Sequence, residues 1–133
     1  MNSDLLTRMQ ELRDLSGVIG LASWDQETYL PKKAESGRAA QLGTLQGLYH
    51  ERLVDPRLGD WLADAKATTP DEQAMVRILS RERERAVKIP SRLVKALAEA
   101  QSLALSAWRE AREEKDFSIF QSHVQTLLAL RRE

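Results

Sequence analysis

Two carboxylates, two imidazoles and a row of guanidiniums are the side chains of this sequence with chemical potential. Asp25 and Glu27 stand two residues apart in WDQETYLP, residues 24–31. Paired carboxylates do general acid–base work when their surroundings push their pKa values apart. In an irregular segment the two need not converge, and an Asp there more simply satisfies the N–H groups of a turn. HERLV, residues 50–54, begins like the zinc motif His-Glu-x-x-His, but Val54 stands where the second imidazole belongs. His50 is therefore expected as a surface or partly buried polar residue. His123, beside Gln121, Ser122 and Gln125, has the same expectation. Arg77, Arg81 and Arg85 recur every four residues. Such a stripe can grip a carboxylate or phosphate, but a solvated helix face laced with ion pairs is the simpler reading.

Other chemistries lack their motifs. There is no Gly-x-Ser-x-Gly nucleophile elbow and no phosphate-cradling glycine loop. The chain has no cysteine, which removes disulfides, thiolate chemistry and Cys-based zinc sites. Trp24, Trp61 and Trp108 sit at helix ends or on apolar helix faces, where core packing is expected. On these grounds no catalytic, cofactor-binding or metal-ligating residue is assigned.

The elements that carry these residues read as helices nearly throughout. The 133 residues suit a single domain, residues 1–133, with 42% hydrophobic and 30% charged side chains. Ser3 caps a first helix with Leu5, Leu6, Met9, Leu12, Leu15, Ile19 and Ala22 at spacings of three and four. Gly17 and Gly20 weaken that helix, and close packing of a neighbouring helix is the expected reason. WDQETYLP reads as the corner into a second helix, from about residue 34 to 53, with Trp24 as its anchor. Pro56 breaks that helix, and Leu58, Trp61, Leu62 and Ala65 mark a short third one. TTPDEQ, residues 68–73, is the clearest start signal: Thr69 caps, Pro70 takes the first position and Glu72 completes a capping box. This fourth helix is expected to reach about Lys88. A long fifth helix opens at Pro90 and Ser91, and Asp116 caps a sixth. No strand-like alternation occurs. The expected fold is all-α, about six helices, several of them long and antiparallel.

Twenty basic and twenty acidic side chains balance, which gives no electrostatic case for nucleic acid or an anionic membrane. No apolar run approaches the ~20 residues of a membrane span. A cytoplasmic location fits the missing cysteines and the mixed-charge N-terminus.

Several motifs in order resemble one family. LASWDQETYLP, then Arg38 and Gln41 in RAAQL, then LYHERLVDPRLG, look like the opening of the carboxypeptidase Taq family of zinc metallocarboxypeptidases. VRILSRERERAVKIPSRLV is similar to that family's Arg-rich helix and Lys-x-Pro break. AWREAREEKDFSIFQSHVQTLLALRRE is similar to its Trp-x-x-Ala-Arg, Asp-Phe and Arg-Arg-Glu sequence. Leu30 stands where the family usually has Met. The resemblance implies a largely helical fold with a deep cleft and release of C-terminal amino acids from peptides. It also implies zinc, held in the intact enzyme by His-Glu-x-x-His and a downstream Glu, a motif absent from these 133 residues. The expectation is an N-terminal region only, as a truncated product or fragment, with no zinc site or catalysis of its own. Its expected partners are the remainder of the carboxypeptidase or a second copy, with peptide substrate only in the intact enzyme. The alternative is a stand-alone helical interaction or dimerisation module.

Overall fold

A computed structural model describes all residues, Met1–Glu133. Six α-helices follow one another: α1 (Ser3–Thr28), α2 (Glu35–Val54), α3 (Pro56–Ala63), α4 (Pro70–Ala86), α5 (Ser91–Glu114) and α6 (Ser118–Arg132). A 3-10 turn, Lys32–Ala34, precedes α2. None of the helices is long and apolar enough to cross a membrane.

The helix starts follow local chemistry. Asn2, rather than Ser3, caps α1: its Oδ1 accepts from the Asp4 N–H at 2.8 Å. The capping box of Thr69 and Glu72 forms as the sequence indicates, with Pro70 in the first turn. Glu72 also accepts from the Thr68 and Thr69 N–H groups, which hold its carboxyl below the usual range. Asp116 lies just outside α6 and accepts from the Ser118 N–H at 2.9 Å. Lys115 ends α5 in the left-handed region, φ 54°, a position that glycine normally occupies.

α2 is the hub, packing against α1, α3, α4 and α5. It runs antiparallel to α5: His50 meets Ser91 at one end, and Gly43 meets Glu99 nearer the other. A Cβ at Gly43 would come within 2.5 Å of the Glu99 side chain, so the missing side chain leaves room for Glu99 against α2. α1 and α2 form an antiparallel hairpin, tied by Arg8 at one end and Arg38 at the other. α6 packs on α5 alone, and no residue of α6 is buried.

The core lies where α1, α2, α3 and α4 meet, built from Leu5, Leu12, Leu53, Leu58, Leu62, Leu79 and Ala86. Leu5 and Leu58 are wholly buried. Arg8 is buried beside this cluster. It donates to the Arg52 carbonyl at 2.8 Å and Asp55 at 3.1 Å, under the face of half-buried Trp61. Asp55 also caps α3 and receives Arg57. The Arg57 guanidinium, first, and then its N–H and Arg8 hold the Asp55 carboxyl well below the usual carboxylate range.

Three expectations change. WDQET is not a corner: it forms the last turns of α1, and the chain turns only at residues 29–31. Trp24 and Trp108 are not core residues, at 55% and 41% exposure. Trp24 lies against Tyr29 instead, and Trp108 lies under Arg112. Finally, no helix of this chain packs on Gly17 or Gly20. A Cβ at either would meet nothing within 4 Å.

Candidate functional site

The C-terminal turns of α1 place each residue of WDQET in a different direction. Successive residues on a helix point about 100° apart, so Asp25 and Glu27 diverge by about 160° and form no acid–base pair. Asp25 turns toward α2 and pairs with Arg38 at 2.8 Å. Gln26 turns inward, where its amide donates to the Ser102 carbonyl at 2.9 Å and to the Ser102 hydroxyl at 2.8 Å. Trp24 turns outward. The helical register thus converts one short segment into a latch to α2, a buried latch to α5 and an exposed aromatic.

Two arginines from other helices complete the end of α1, which has no basic residue in its own last turn. Arg38 donates to the Ala22 carbonyl at 2.7 Å, with its Nε on Gln41 at 3.0 Å. Arg109 of α5 donates to the Gln26 and Glu27 carbonyls at 3.2 and 3.4 Å. Cations at a helix C-terminus interact favourably with its dipole. Arg109 was not singled out by sequence. It is a basic residue in α5 whose long side chain reaches the end of α1, while α1 and α5 are joined through side chains such as Gln26 on Ser102.

Between α1 and α2 lies an open groove of about 830 Å³, walled by Val18, Leu21 and Trp24 on one side and Ala40, Thr44 and Leu45 on the other. Its polar corner is the Asp25–Arg38–Gln41 cluster. These groups already satisfy one another, so the groove presents mainly apolar surface. A smaller groove of about 300 Å³ opens on the opposite flank of α1, between Met9, Leu12, Tyr49, Met75 and Ile78. Burial raises the Tyr49 pKa there, and the Glu82 carboxylate adds to the shift.

The imidazoles do not form a metal centre. His50 is buried between Ser91 Oγ at 2.8 Å and the Ala86 carbonyl at 3.0 Å. A carbonyl only accepts, so Nε2 carries the proton and donates to Ala86, while Nδ1 accepts from Ser91. Both nitrogens are engaged in joining α2 to the end of α4 and the start of α5. This is deeper than the surface or partly buried setting expected. His123 lies half-buried on α6, and no three His, Asp or Glu side chains come together in a way that could hold a metal ion. Arg77, Arg81 and Arg85 are solvated as expected, but the accompanying ion pairs do not form: none of the three lies within 4.0 Å of a carboxylate.

Comparison with known proteins gives this scaffold a family. The family model for the carboxypeptidase Taq (M32) metallopeptidase matches residues 4–133. Thermostable carboxypeptidase 1 of Thermus thermophilus is 38% identical over 98% of this chain and 27% of its own length. Carboxypeptidase 1 of Bacillus subtilis is 30% identical over 94% of this chain and 25% of its own length. In fold, the solved structure of BsuCP superposes with a TM-score of 0.85 at 24% identity, covering 96% of this chain and 26% of that one. Pyrococcus furiosus carboxypeptidase superposes at 0.67 with 27% identity, covering 98% and 27%. The chain spans about a quarter of the length of these relatives. The donor set that a metallopeptidase requires is not formed by the residues present, yet over residues 4–133 the chain belongs to the carboxypeptidase Taq (M32) metallopeptidase family.

Proposed function

We propose that this chain is the N-terminal helical part of a carboxypeptidase Taq-type metallocarboxypeptidase, which releases C-terminal amino acids from peptides. In that reading its helices build part of the cleft wall or lid and brace a catalytic portion that holds the zinc. The chain alone binds no catalytic metal and cleaves nothing, and the enzyme works in the cytoplasm. The observation that carries the reading is a family match along the whole chain combined with the lack of any convergent donor set. Without imidazoles around an open metal position there is no activated water.

The amount of exposed surface supports an unfinished fold. The chain exposes 8899 Å², whereas a compact monomer of 15.1 kDa exposes roughly 7,100 Å². Large apolar side chains share in the excess: Leu21, Trp24, Tyr29, Ile78 and Phe117 are all more than half exposed. Leu21, Trp24 and Tyr29 lie together at the end of α1, and exposed apolar patches mark interfaces.

A panel of short peptides with added zinc tests the reading. The chain alone is expected to release no C-terminal residues. Robust release that a chelator abolishes would overturn it. A second reading, a self-associating helical module, rests on the same apolar surface. Light scattering that finds a dimer at micromolar concentration would favour it.

A further inference from the structure

The outer face of α1 has a composition that nothing within the chain explains. Taking about 100° per residue, Leu21, Gly17, Trp24 and Gly20 fall in that order across an arc of about 100°. The centre of this arc lies about 170° from buried Arg8 and Gln26. Apolar groups on both faces of a helix are the pattern of an element covered from two sides. Two glycines inside a 26-residue helix weaken it, and a Cβ at either would meet only open space. Open Gly17 lies between Leu21 and Trp24, and open Gly20 lies on the far side of Trp24, so a second backbone can approach closely on either side of the indole. The grooves on either side of α1 widen the apolar seat.

We infer that this face is a docking seat for a helix from the catalytic portion of the carboxypeptidase, an inference that rests on the proposed function and names the surface through which it acts. The length of the matched relatives favours that occupant over a second copy. The whole chain exposes about 1,800 Å² more than a compact monomer of its mass, an area within the range that a permanent interface covers. The relatives are about four times as long as this chain, so their remaining three quarters supply a body large enough to cover it.

The test compares the chain alone with a full-length hybrid, in which these residues replace the matching quarter of the Thermus thermophilus enzyme. Gly17→Leu and Gly20→Leu are made in both, with Gly17→Ala and Gly20→Ala as milder variants. Gly37→Leu is the control, because Gly37 also opens onto empty space but lies off α1. In the chain alone, the α1 substitutions remove helix-weakening glycines and are expected to raise Tm by a few degrees. In the hybrid the same leucines obstruct the seat and are expected to lower Tm, the alanines less so, while Gly37→Leu does not lower it. This reversal of sign supports the seat. A rise or no change in both settings overturns it and leaves the proposed function standing. A hybrid that fails to fold before any substitution contradicts the proposed function itself, and the seat with it. A dimer of the chain that the leucine variants dissociate assigns the face to a second copy and overturns the seat as inferred.

Discussion

Arg38 and Arg109 come from different helices and end on the carbonyls of the same one, Ala22, Gln26 and Glu27 of α1. With Gln26 on Ser102, they lock three helices around the segment that first suggests acid–base chemistry. The residue types were legible in the sequence, but their roles were not. Asp25 and Glu27 look paired until the helix continues through them and turns them apart. The depressed carboxyls make a pH prediction at this scale. Asp55, Glu72 and Asp116 all titrate below their ordinary values through hydrogen bonds from Arg57, from the Thr68 and Thr69 N–H groups, and from Ser118. Their folded pKa values lie below the unfolded ones, so their stabilisation is full above about pH 4 and is lost as pH falls toward the folded values. Urea midpoints should therefore decline below about pH 4. Asp55→Asn keeps the cap acceptor but removes the charge facing Arg8 and Arg57. It should lower stability by about 1–2 kcal/mol at pH 7 and by much less at pH 2. Equal losses at both pH values would show that the charge is not the stabilising feature.

At the scale of the helix, the ends were more legible than the faces. Thr69-Pro70 with Glu72, and Pro56 after Asp55, fix boundaries through local geometry that needs no tertiary partner. The end of α1 was misread because Trp24 and Asp25 resemble a turn, while the helix is extended to Thr28 by partners distant in sequence. Faces depend on what packs against them. Leu48, Ile78 and Trp108 continue apolar rows and are nevertheless exposed, because no other helix of this chain covers them. From spacing alone His50 reads as a surface or partly buried polar residue; only the meeting of α2, α4 and α5 buries it and bonds both nitrogens. Lys115 offers a prediction confined to one element. A lysine in the left-handed region is strained by its Cβ. Lys115→Gly should stabilise the chain by about 0.5–1 kcal/mol, read as a higher urea midpoint. An unchanged or lower midpoint would show that the α5 terminus carries no such strain.

At the scale of the molecule, the excess surface goes with the exposed apolar groups and the open grooves on α1. The proposed bracing role draws on this open, helical surface. The most direct measurement is peptide cleavage by the hybrid that joins these residues to the remaining three quarters of the Thermus thermophilus enzyme, alongside the chain alone. Chelator-sensitive release of C-terminal amino acids is expected from the hybrid and none from the chain. A folded hybrid without activity, or a chain that cleaves peptides unaided, would contradict the proposed function.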